Sequence, residues 1–179
     1  MQTPPRFTGD LSSLWKLQNS PPIQHLTWDW WWWLVMVDDE NESAAGKQLM
    51  VLWSTKDNPL VEVNGHVWEP VGRPGFDEQG GIAMDGMVAA WWYDGSELIE
   101  PLVLEKCRII VISENHTEWP YEKGGIVASN TDKEFSMGLT PEENQFWLRL
   151  DTDYGVFDLQ MEPWNNAMSS MKVAQNDYG

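Results

Sequence analysis

The chain has a single cysteine, Cys107, so it can form no disulfide within itself and offers no cysteine-based zinc site. That residue lies in Cys107-Arg108-Ile109-Ile110-Val111-Ile112, an apolar run that suits a buried, inert thiol better than a nucleophile. Basic residues are few: 11, against 28 acidic ones, for a formal net charge of -17 and an isoelectric point near 4.3. Gripping a phosphate backbone needs a basic face, so nucleic acid is excluded as a partner. Anionic lipid head groups are repelled for the same reason, which leaves a membrane at most as a place of ligand exchange. Long apolar runs are lacking too. The longest, Trp30 to Val37, falls well short of the roughly 20 residues a spanning helix needs. The N-terminus, Met1-Gln2-Thr3-Pro4-Pro5-Arg6, has no apolar signal core, so a cytoplasmic location is expected. His25, His66 and His116 are scattered without metal-ligand spacing. No glycine-rich phosphate loop, nucleophile elbow or His-Glu-x-x-His is found. Neither a metal nor a cofactor is expected.

What is present in excess is tryptophan: 13 in 179 residues. The length suits one domain with a core of its own. Residues 1–24, with Pro4-Pro5 and Pro21-Pro22, read as an N-terminal arm with a turn of helix near Leu11–Leu17. Residues 25–165 read as a β domain and 166–179 as a tail or linker. Within the domain, short apolar or alternating runs follow one another: 29–37, 48–55, 60–63, 84–93, 102–104, 108–112, 125–129, 134–139, 145–150 and 156–161. Turn chemistry separates them, including Asn64-Gly65, Asp94-Gly95 and Asp153-Tyr154-Gly155. Residues 69–81, rich in glycine and proline, read as a long loop. Many close-spaced strands and no sustained helical period give an all-β fold, a lipocalin-like antiparallel β-barrel or a strongly bent β-sandwich.

The run Trp28-Asp29-Trp30-Trp31-Trp32-Trp33 carries the most information. In a strand, Asp29, Trp31 and Trp33 share one face, and Trp28, Trp30 and Trp32 share the other. One face must be interior; the other must be covered or stand as an apolar patch. Trp91-Trp92-Tyr93 forms a second aromatic set, and Trp53 and Trp68 can join either. These rings can be core, can line a cavity for a long apolar ligand, or can stack on sugars. Trp31, Trp33, Trp53, Trp91 and Tyr93 are the candidate ligand-binding residues. Asp29, set among tryptophans, is the candidate catalytic acid, since a desolvated carboxyl keeps its proton; its plainer reading is a residue that faces solvent or accepts a Trp N–H. Asp85, in Ala83-Met84-Asp85-Gly86-Met87-Val88, is the candidate second acid or base; its plainer reading is a strand start.

The stretch Thr27-Trp28-Asp29-Trp30-Trp31-Trp32-Trp33, followed by an acidic turn and Lys47-Gln48-Leu49-Met50-Val51-Leu52-Trp53, resembles the carotenoid 1,2-hydratase (hydroxyneurosporene synthase)-like family of the wider lipocalin-like group. Trp91-Trp92-Tyr93-Asp94-Gly95 and Phe157-Asp158-Leu159-Gln160-Met161-Glu162-Pro163 are compatible with it. The resemblance implies two lipocalin-like domains in tandem, and water addition to an isoprenoid double bond without a redox cofactor. This chain is about one domain long, so it matches a first half. Asp29-Trp30-Trp31-Trp32 stands where that family has a Glu-Trp-Trp-Tyr type pattern. The expectation is therefore a protein that binds a long apolar, isoprenoid-like molecule in a Trp-lined barrel cavity and, if catalytic, hydrates or isomerises an alkene. Two alternatives stay open: a non-enzymatic carbohydrate-binding sandwich, and a half-protein whose tryptophan row packs on a second domain or a second copy.

Overall fold

The computed structural model describes residues 15, 28–37, 46–56, 61–63, 65–68, 75–76, 81–112, 120–140 and 145–162. The tail and the arm, Trp15 excepted, lie outside the described residues, as do His25, His116 and the side chains of Trp28 and Asp29. Eleven strands follow in order: β1 (Trp28–Val37), β2 (Lys47–Lys56), β3 (Val61–Val63), β4 (His66–Trp68), β5 (Gly75–Phe76) and β6 (Ile82–Tyr93), then β7 (Leu98–Ile112), β8 (Gly125–Ser129), β9 (Phe135–Leu139), β10 (Phe146–Asp151) and β11 (Val156–Met161). Nine of them form one antiparallel sheet in the order β1-β2-β6-β7-β8-β9-β10-β11, with β5 added beside β6, and β3 pairs β4 separately. Among the described residues β1 and β11 do not pair, so the fold is an open, strongly bent all-β sheet. No helix among the described residues is long and apolar enough to cross a membrane.

Side-chain alternation decides where the core lies. In β1, Trp31 and Trp33 turn to the same side as Leu49, Val51 and Trp53 of β2, because the register sets Trp31 against Trp53 and Trp33 against Val51. The next strand continues that face with Val88, Ala90 and Trp92. At the far end of the sheet, Phe146, Leu148 and Leu150 of β10 alternate with half-buried Trp147 and exposed Arg149. The sheet folds over so that these two inner faces meet. Trp33 packs on Phe146 with ring centroids 4.6 Å apart, and Trp92 packs edge-on against Phe157 at 5.2 Å. Trp15 closes this cluster from the arm, 6.4 Å from Trp33 and 6.5 Å from Phe146.

The structure joins what reads in sequence as two runs, 102–104 and 108–112, into the single 15-residue strand β7. A bulge hides the continuity. Ala90 pairs with Val103 and then Trp92 with Ile99, so Trp91 alone faces Glu100, Pro101 and Leu102. Pro101 has no N–H to give to the ladder, and extra residues on one strand bend it and sharpen its twist. The glycine-rich loop also differs from expectation: Gly75-Phe76 pairs with Ala83 and Ile82. A two-residue pairing leaves no period to read.

Gly86 marks the tightest point of the sheet. A Cβ there would lie 2.0 Å from the Ser54 carbonyl oxygen and 2.9 Å from the Ile109 side chain. Backbone cannot yield as a flexible side chain can. Gly86→Ala is therefore expected to destabilise the protein by roughly 1–3 kcal/mol. Gly75→Ala, where a Cβ meets nothing within 4 Å, is expected to stay within about 0.5 kcal/mol. Urea unfolding of both variants checks the contrast.

Candidate functional site

The bend that closes the inner face leaves the outer one exposed along β1, and the sequence is apolar on both. Along β1 the outer positions are Trp30, Trp32, Leu34 and Met36, which are 55%, 55%, 54% and 43% exposed. Register carries this face onto β2 and β6: Trp32 stands against Leu52, which stands against Ala89; Leu34 stands against Met50, which stands against Trp91. Met87 and Ala89 form a small outer core there, with Leu52, Trp91 and Leu104 packed on it. One row further along lie Met36, Gln48 and Tyr93. Here the surface dips into a groove of about 310 Å³ lined by Leu34, Gln48, Met50, Trp91, Tyr93 and Leu98. The β6–β7 pairing shifts register here, with the extra residues on β7 opposite Trp91.

The five aromatic candidates are thus divided between two faces. Trp31, Trp33 and Trp53 belong to the inner core, where Trp53 is completely buried. The indole N–H groups of Trp33, Trp53 and Trp92 are buried and make no hydrogen bond among the described residues. These rings contribute apolar bulk and ring packing, against a cost of roughly 1–3 kcal/mol per unmet donor. Trp91 and Tyr93 come together in the outer groove. Leu34, Gln48, Met50 and Leu98, not singled out in the sequence, complete it. Alternation on β1 and β2 was the signal available for the first three, but linking them to Trp91 needs the pairing register. Trp15, also not singled out, is 1% exposed within the inner cluster.

A tight turn, Asp94 to Glu97, joins the groove residues Tyr93 and Leu98. Asp94 Oδ1 accepts from the Ser96 and Glu97 backbone N–H groups, each at 2.8 Å, and from the Ser96 hydroxyl at 2.9 Å. Gly95 takes φ 102°, a conformation that glycine adopts without a Cβ penalty. The Tyr93 hydroxyl donates to the Gly95 carbonyl at 2.9 Å, which fixes its ring along the groove wall. The donated hydrogen bonds, from Glu97 first and then Ser96, hold the Asp94 carboxyl below the usual range.

The two candidate catalytic acids sit differently. Asp85 is not at a strand start but inside β6, 7% exposed, and its Oδ1 accepts from Arg108 Nη1 at 2.9 Å across the β6–β7 ladder. For Asp29 the structure gives only a backbone position, paired opposite Thr55. Cys107 is buried and its thiol is pushed up to about 12 by desolvation, so it stays un-ionised at neutral pH. Among the described residues no group of three His, Cys, Asp or Glu side chains can hold a metal ion. Comparison with known proteins yields no match to any family model, any curated protein or any solved structure.

Two outcomes are expected from these side chains. Arg108→Met removes the ion pair of a buried carboxylate and should cost about 1–3 kcal/mol, limited by the partial exposure of Arg108. Arg149→Met, which breaks exposed pairs of 3.5 and 3.6 Å, should stay within about 1 kcal/mol. Chemical denaturation of the two variants reads the difference. Asp94→Ala should destabilise the β6–β7 turn at neutral pH. Because the folded pKa lies below the ordinary 3.8, the stabilisation is full above that value and is lost as pH falls through the lower folded value. The stability gap between wild type and Asp94→Ala should therefore hold constant from pH 7 to 5 and close only on strong acidification.

Proposed function

We propose that this protein binds a long apolar, isoprenoid-like small molecule, and that the ligand lies in the outer groove rather than inside the bend. The observation that carries this reading is the groove itself. Leu34, Met50, Trp91 and Leu98 form apolar walls, and Gln48 and Tyr93 supply polar groups to orient a ligand. Small-molecule sites share this construction, with volumes of roughly 300–1,000 Å³, and this one is at the lower bound. The exposed Trp32 and Trp30 extend the apolar track beyond it.

Hydration of an alkene would need a proton donor at the ligand. Asp85 shares the outer face but is ion-paired with Arg108 and does not line the groove. Binding is accordingly the reading preferred over catalysis. The carbohydrate alternative draws on Trp30 and Trp32, exposed two residues apart on one strand and so about 7 Å apart. Their neighbours Leu34 and Leu52 offer a sugar no side-chain hydrogen bond, and the Ser54 hydroxyl opposite Trp30 is buried, which favours the apolar ligand.

A titration of tryptophan fluorescence with farnesol, with a soluble oligosaccharide in parallel, tests the proposal. Saturable quenching by farnesol alone is expected. Trp91→Ala should weaken binding about tenfold, near 1.4 kcal/mol, while Cys107→Ser, in the inner core, should leave affinity unchanged in the folded protein. A response to the sugar alone, or farnesol binding indifferent to Trp91→Ala, would refute it.

A further inference from the structure

The groove is largely apolar, but one end of it adjoins an acidic turn. Tyr93 and Leu98, which line that end, are the two residues bracketing the Asp94–Glu97 turn. Exposed Glu97 directly precedes Leu98, and half-buried Asp94 directly follows Tyr93. Asp94 keeps its negative charge to unusually low pH because backbone N–H groups stabilise it. Lys47 is the nearest cation in sequence to Gln48, and its parity places it on the inner face with Leu49. Aromatic walls are also found here, in Trp91 and Tyr93.

Aromatic faces next to carboxylates are the chemistry that recognises an organic cation: the ring quadrupole and the acids attract it together, and the apolar walls do not compete by hydration. A chain of net charge -17 adds a field that concentrates cations around it. We infer that the ligand of the groove is a cationic amphiphile, an alkyl or isoprenoid chain ending in an ammonium group, with the tail on Leu34, Met50 and Trp91 and the head at Tyr93 beside the Asp94–Glu97 turn. This rests on the reading of the groove as an apolar-ligand site and adds the identity of the head group.

The test uses the whole chain and three ligands of equal tail length, each below its micelle concentration: decyltrimethylammonium, decanol and decanoate. Binding is followed by tryptophan fluorescence, with circular dichroism confirming that the fold is retained. The cation should bind roughly tenfold more tightly than decanol, and decanoate more weakly than either. Raising salt should narrow the gap. Glu97→Gln and Asp94→Asn should each reduce the cation's preference several-fold and leave decanol unaffected; asparagine keeps the oxygen acceptor that the turn needs. Asp132→Asn, an exposed acid in the β8–β9 connection, removes the same charge from elsewhere and should leave the preference intact. Equal binding of decyltrimethylammonium and decanol would overturn the head-group assignment while the groove reading survives. A preference lost equally in all three variants would trace it to the overall field and overturn it as well. No binding of any of the three would overturn the groove reading itself.

Discussion

Everything in this fold depends on four aromatic rings meeting across the sheet. Trp33 against Phe146 and Trp92 against Phe157 bring β1 and β6 onto β10 and β11, at centroid distances of 4.6 and 5.2 Å. Such pairs add about 0.5–1.5 kcal/mol each beyond the area they bury. Their larger effect is geometric. A meander of eight consecutive neighbours has a single core face, and these contacts make it meet itself, so that residues from Trp31 to Met161 belong to one buried cluster. Two local features lie on the β6 path between these contacts: the close approach of Gly86 to Ser54, and the register shift opposite Trp91 whose extra residues are on β7.

The same closure determines what remains available for binding. A strand that is apolar on alternate residues spends its hydrophobic face on the core and leaves water a polar one. β1 does not: Trp30, Trp32, Leu34 and Met36 are as apolar as Trp31, Trp33, Val35 and Val37. β2 and β6 share this doubling, with Met50 and Leu52 outside Leu49 and Val51, and Met87 and Trp91 outside Val88 and Trp92. The far half of the sheet shows the ordinary pattern, with Asp158, Gln160 and Arg149 exposed. The molecule is asymmetric in this sense, one half two-faced and apolar, the other half amphipathic. The proposed ligand binding rests on this exposed apolar area.

How much of this was legible follows from which signals are local. The alternation in β10 and β11 places Phe146, Leu148, Leu150, Phe157, Leu159 and Met161 on one face each, as the structure has them. The split of Trp31 and Trp33 from Trp30 and Trp32 is equally a matter of parity. Of the expected turn residues, Gly65 and Gly95 take positive φ. By contrast, the sequence cannot say that Trp91 and Leu34 share a groove, since that depends on the pairing of β1 with β2 and β2 with β6. Nor can it separate Trp91 from Trp53, two tryptophans of like surroundings that end on opposite faces. The partner of Asp85 was hidden for the same reason: Arg108 is 23 residues away and becomes adjacent only through the β6–β7 ladder.

The central claim is that the tryptophans are divided, with the inner set sealed in the bend and Trp30 and Trp32 open on the outer face. Acrylamide quenching of intrinsic fluorescence tests it most directly, comparing wild type with the Trp30→Phe, Trp32→Phe double variant. A distinct accessible fraction is expected in the wild type that shrinks in the double variant, while the shielded emission persists. Uniformly shielded emission in the wild type, or an accessible fraction of the same size after both substitutions, would contradict it.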